Sequence, residues 1–181
     1  AHQLAFGIEG AGPVAMVGYT IAFGTLLIAG LLLLILGFEM VQSSLVTLAV
    51  TVVPLGLSLG LVSEFLPGCC LPYLIFSILG MLAVAFTRKL PSRRASAAVV
   101  AGVHGVAGLA ISTLPLIASL DGRASGHFSL VAVGGLISGL AGLLLIFSRS
   151  GRPLLAEAAL LRLLPVLLLL ASVFFVAGFS F

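Results

Sequence analysis

Few side chains in the long apolar stretches of this 181-residue sequence can carry charge or donate hydrogen bonds. His104 is the one group well inside such a stretch that titrates near neutral pH. An intramembrane histidine can relay protons, hold a ligand or gate a pathway, and it can also simply hydrogen-bond a neighbouring helix. Both roles for His104 stay open on the sequence.

Other polar residues fall at successive depths when the apolar stretches are taken as six membrane spans. Together with His104 they form a candidate polar path, which runs from the outer to the inner mouth through Glu64, Tyr19, Ser58, Thr51, Ser138, His104 and Glu39. Hydroxyls and a neutral imidazole can pass protons or replace part of the hydration of an ion. Protons, a small ion or a small neutral solute are therefore the expected cargo, and His104 is expected to govern any pH dependence.

Ser58 and His104 also raise the question of serine catalysis. Residues 56–60 (GLSLG) and the pair His104-Gly105 resemble the serine and histidine segments of rhomboid intramembrane proteases over a few residues. The sequence departs from that family because no glycine directly follows the serine, no upstream His and Asn segment is present, and two helices follow the histidine. Ser58 is expected nearer the outer side and His104 nearer the inner side, so they are not predicted to meet. No family is assigned.

Small residues one helical turn apart indicate faces on which membrane helices can pack closely. In the fourth and fifth spans these pairs are Ala101 with Gly105, Gly135 with Gly139, and Ser138 with Gly142. Such faces join helices within one chain or between chains. The expected partners are the lipid bilayer and either further copies of this chain or other membrane subunits.

Two prolines and two cysteines complete the set of chemically distinctive residues. Pro54 and Pro115 each remove a backbone donor and free a carbonyl inside a span, and such kinks can build a binding site. Cys69 and Cys70 are neighbours, so a disulfide between them would be strained. No spacing in the sequence matches a metal or thioredoxin-type motif, and no cofactor, metal or catalytic residue is assigned.

The elements that position these residues are predicted from composition. The chain is 61% apolar and 7% charged, whereas soluble domains carry about 25% charged residues. Unalternating apolar runs of about 20 residues are typical of membrane-spanning helices. The sequence therefore predicts an all-α, polytopic transmembrane helical bundle that forms a single integral membrane domain over residues 1–181. Its six spans are placed near residues 13–38, 45–63, 70–87, 97–120, 128–147 and 163–180.

The basic residues indicate how these spans are oriented. Seven of the eight Lys and Arg residues fall in the loops after the third and fifth spans, and Arg123 is on the opposite side. The positive-inside rule then places loops 88–95 and 148–162 in the cytoplasm and both termini outside it, in a bacterial inner membrane. An outside N-terminus at Ala1 fits a cleaved signal peptide or removal of an initiator methionine.

Permeation or transport ranks first among the functions, because a six-helix chain without a soluble domain can pass, bind or hold something within the membrane. A non-catalytic structural subunit of a larger membrane complex is the alternative. An intramembrane enzyme ranks third, since no pair of catalytic groups is predicted to converge. The net charge of +3 is explained by the topology, and no nucleic-acid partner is expected.

Overall fold

The computed structural model describes residues 11–36, 44–87, 93–149 and 154–180. These residues are 91% helical and contain no strand. The six helices are α1 (Pro13–Leu36), α2 (Ser44–Phe65), α3 (Cys70–Thr87), α4 (Arg93–Leu120), α5 (Ser129–Arg149) and α6 (Glu157–Gly178). Short 3₁₀ turns at Pro67–Cys69 and Gly126–Phe128 lead into α3 and α5.

All six helices are long and apolar enough to cross a membrane, which confirms the predicted number of spans. Large apolar side chains cover their outer faces: Leu109, Leu136 and Leu169 are 67%, 64% and 66% exposed. Such a continuous apolar surface is energetically unfavourable in water and favourable in lipid. The chain is an integral membrane protein. The placement of both termini outside the cytoplasm stays a prediction.

The largest difference from the predicted spans is at the start of α6. This helix begins at Glu157, upstream of the predicted start at residue 163, and continues through Pro165 without interruption. Ala156 precedes it with extended backbone angles, φ −58° and ψ 143°. The residues from Glu157 to Arg162 are mostly strong helix formers, so the helix extends upstream of the predicted span.

The chain divides into two compact units, the first ending at Ala107 and the second beginning at Gly108. In the first unit α2 packs extensively against α1 and also against α3, and it is the most buried of the six helices. A core of Leu55, Val84, Val103 and Ala107 holds α2, α3 and the first part of α4 together. The prediction of a single domain over residues 1–181 is not tested by this division.

In the second unit α5 and α6 form the most extensive helix pair. Phe128, at the entry to α5, meets Phe179 beyond the end of α6 edge to face, with ring centroids 5.4 Å apart. The loop that leads into this pair starts with Gly122, at a φ of 69°. Its amide bonds the Ser119 carbonyl while Arg123 bonds Ala118, the arrangement with which a glycine ends a helix.

Candidate functional site

The first polar contact of the candidate path joins α1 to α2. Tyr19 follows the start of α1 by six residues, and Glu64 lies in the last turn of α2, so an antiparallel pair brings them to the same end. The Tyr19 hydroxyl donates to the Glu64 carboxylate at 2.9 Å. Tyr19 is only 2% exposed, whereas Glu64 reaches the surface. Two members of the predicted path thus form one interhelical hydrogen bond.

The close approach of α1 and α2 is possible because glycines lie at their contact. A Cβ added at Gly18 would lie 2.7 Å from the Gly56 carbonyl oxygen, and one at Gly56 would lie 2.8 Å from the Gly18 carbonyl oxygen. One at Gly60 would press into the Tyr19 ring, 2.6 Å from Cδ1. The backbones therefore meet where no side chain intervenes, a geometry suited to Cα–H···O contacts. The signal for this contact was the four-residue spacing of Gly56 and Gly60, which the sequence analysis did not interpret as a packing motif.

Ser58 lies on α2 between these glycines and is completely buried. Its hydroxyl donates back to the carbonyl of Pro54 at 2.6 Å and also approaches the Leu55 carbonyl at 3.2 Å. The Tyr73 hydroxyl on α3 is buried without a hydrogen-bond partner in the described chain. The Ser58 hydroxyl, in contrast, is already bonded within its own helix.

His104 is partly buried on α4. Its Nδ1 is 3.0 Å from the carbonyl oxygen of Val100 in the same helix. In the described chain the side chains of His104 and Ser58 each bond to carbonyls of their own helix, so they do not form the hydrogen-bonded pair that serine catalysis requires.

Three further residues belong to the predicted path. Thr51 is completely buried on α2. Ser138 belongs to the second unit, where its hydroxyl donates to the Gly135 carbonyl at 2.9 Å. Glu39 lies outside the described residues. A continuous path across the membrane stays a prediction.

The predicted packing residues fall into three groups. Gly135 is in tight contact, since an added Cβ would lie 2.8 Å from Cγ2 of Ile111 and 2.9 Å from Oγ of Ser112. Ala101 and Ser138 are partly buried. The other three, here called the open glycines, would meet nothing within 4 Å of an added Cβ: they are Gly105, Gly139 and Gly142.

The first unit also carries an apolar groove of about 560 Å³ over α2, flanked by α1 and α3. Val52, Leu55 and Leu59 contribute from α2. Ser77 is the one polar side chain in its lining, and its hydroxyl is already bonded to the Tyr73 carbonyl at 2.9 Å. The groove therefore suits an apolar occupant and not a polar solute.

The two cysteines are free thiols at the turn between α2 and α3, with Cys69 exposed and Cys70 partly so. Across residues 11–36, 44–87, 93–149 and 154–180, no three histidine, cysteine or acidic side chains come together in a way that could hold a metal ion. The polar groups thus act as local pairs, chiefly Tyr19 with Glu64 and His104 with backbone. No protein-family model, curated protein or solved structure matches this chain.

Proposed function

We propose that this protein is a non-catalytic helical subunit of a membrane complex, assembled through the open glycines. Glycine weakens a helix by up to about 1 kcal/mol relative to alanine, so a helical glycine is expected where close approach requires it. Gly18, Gly56 and Gly135 meet that condition inside their own units. Gly105, Gly139 and Gly142 have no such contact in the described chain, although each follows a small residue by four positions, which Gly30 does not; this combination carries the proposal.

The polar groups support the same function. Ser58 and Ser138 bond to carbonyls of their own helices, and Ser77 in the apolar groove does so too. Hydroxyls that are satisfied locally offer little to a permeating ion, because each would first have to give up an existing hydrogen bond. The outward faces of the helices are apolar and carry the open glycines. Such faces suit contact with another membrane helix.

The test replaces one open glycine and measures what remains bound. Gly139→Leu should release the partner or break the oligomer while the chain stays inserted, since a bulky side chain separates packed backbones. Gly30→Leu on α1 is the matched control, because an added Cβ there also meets nothing within 4 Å, yet it lies on a helix the proposal does not use. Native mass measurement after mild detergent extraction gives the readout. Unchanged assembly in Gly139→Leu contradicts the proposal.

Permeation of protons, a small ion or a small neutral solute is the second candidate. It is favoured by the Tyr19–Glu64 pair near one end of α2 and by the intramembrane imidazole of His104. In liposomes, His104→Ala should then abolish the flux or remove its pH dependence, and Glu64→Gln should weaken cation entry. A folded wild-type protein that supports no flux would count against permeation and leave the subunit function standing.

A further inference from the structure

The apolar groove of the first unit is short compared with the helices that form it. Its α1 wall runs from Pro13 to Ile21 and its α3 wall from Leu74 to Leu82, so each wall is about 12 Å long. Pro13 is the first residue of α1, and Leu74 lies one turn into α3. The hydrocarbon core of a bilayer is about 30 Å thick, so the lipid chains of one leaflet fill about 15 Å of it. The groove therefore has about the depth of one leaflet and not of the whole membrane.

The groove is continuous with the lipid-facing surface of the protein. Val17 on one rim and Ile78 on the other are each more than half exposed, whereas Leu55 on the floor is buried. Ser77 is the one polar side chain of the lining, and its hydroxyl is already bonded to the Tyr73 carbonyl. A hydrocarbon chain can therefore pass from the bilayer into the groove without crossing a polar boundary and without leaving a polar side chain unpaired.

A helix from another subunit suits this groove less well than a lipid chain. Membrane helices associate through small residues that let backbones approach, or through hydrogen bonds between polar side chains. Gly18 and Gly56 line the groove but already pack against each other, since an added Cβ would lie 2.7 or 2.8 Å from the carbonyl oxygen of the opposite glycine. Apart from Pro13 and Ser77, the rest of the lining consists of leucine, isoleucine, valine and methionine. A helix that spans the membrane would also extend beyond a groove of one-leaflet depth.

We infer that one acyl chain of a phospholipid occupies this groove and stays with the protein longer than the surrounding lipid does. A chain in the groove contacts α1, α2 and α3 together, whereas a lipid on the outer face of a single helix is in contact on one side only. Dispersion contacts are individually small but add up along a chain that is enclosed on several sides. The inference does not depend on the proposed assembly, because the open glycines lie outside the groove.

Filling the groove with a side chain tests the inference. The protein is reconstituted in bicelles of dioleoylphosphatidylcholine, transferred to mild detergent and measured by native mass spectrometry. Wild type should retain one phospholipid per chain, and Val52→Phe, whose ring would lie in the groove, should lose it. Val50→Phe is the matched control, because Val50 is exposed on the same helix outside the groove, and it should retain the lipid. Equal retention in the two variants, no retention in wild type, or a dimer that Val52→Phe dissociates would each overturn the inference.

A second measurement covers the case in which Val52→Phe does not fold. The chain contains no tryptophan, so a single introduced tryptophan reports on its own surroundings. Leu82→Trp places the reporter on the groove, and Leu79→Trp places it on the exposed face of α3 outside the groove. Each protein is equilibrated with phosphatidylcholine brominated on its acyl chains, which quenches tryptophan, and is then diluted into unbrominated lipid. Quenching should persist about tenfold longer in Leu82→Trp than in Leu79→Trp, and equally fast recovery overturns the inference.

Discussion

Gly60→Ala is the substitution for which the structure gives the clearest expected cost. The added methyl would press into the Tyr19 ring, lying 2.6 Å from Cδ1 and 2.8 Å from Cζ. The Tyr19 ring has little room to move away from this methyl group, because Tyr19 is 2% exposed and its hydroxyl donates a hydrogen bond to Glu64 at 2.9 Å. Overpacking of this kind costs about 1–3 kcal/mol, and alanine returns up to about 1 kcal/mol through its higher helix propensity. The expected net loss is about 1–2 kcal/mol of unfolding free energy.

The assay is reversible unfolding in bicelles, followed by steric trapping or a graded denaturing detergent. Gly30→Ala is the matched control, since an added Cβ there meets nothing within 4 Å, and it should be neutral or slightly stabilising. Tyr19→Ala supplies a second control: once the ring is gone, adding Gly60→Ala should cost nothing further. If Gly60→Ala proves as stable as Gly30→Ala, the close glycine crossing of α1 and α2 is refuted.

Three further outcomes are expected. Gly135→Ala should lower the stability of the second unit by about 1 kcal/mol because its methyl would meet Ile111, whereas Gly108→Ala should not, and thermal unfolding in detergent compares them. Tyr19→Phe removes the hydrogen bond to Glu64 but keeps the ring, so bicelle unfolding should show a loss of about 0.6–1.7 kcal/mol, with no loss if the bond is unimportant. A cysteine placed at Ser92 in a cysteine-free background should resist an impermeant thiol reagent added to intact cells, and labelling from outside would reverse the predicted topology.

The helices were predictable because a membrane span is recognised by the length of its apolar run. A run of about 20 apolar residues has few alternatives in a chain with so few charges, and all six predicted spans are present. The span placed near residues 163–180 is part of a longer helix that starts at Glu157, because the residues before it are also strong helix formers. A proline interior to a membrane helix is tolerated when neighbouring groups satisfy the freed backbone, and this tolerance is not visible in a hydropathy pattern.

The polar contacts were harder to predict because sequence gives the depth of a residue but not the direction in which it faces. Tyr19 and Glu64 were placed in the outer part of the path, yet their contact depends on how closely α1 and α2 cross. Ser58 and Ser138 were expected to line a path, and each bonds to its own helix. His104, expected to face a path, likewise lies with its ring nitrogen 3.0 Å from a carbonyl of its own helix.

The glycine crossing of α1 and α2 has a consequence for biosynthesis. Every group that makes it, from Gly18 to Glu64, is translated before the turn at Leu66. The pair can therefore close in the bilayer as soon as α2 leaves the insertion machinery, while the second unit is still being made on the ribosome. A nascent chain arrested within α5, with α2 clear of the ribosome, should already hold the Tyr19–Glu64 contact. Proteases that degrade misfolded membrane proteins would then encounter a paired helical hairpin and not two separate spans.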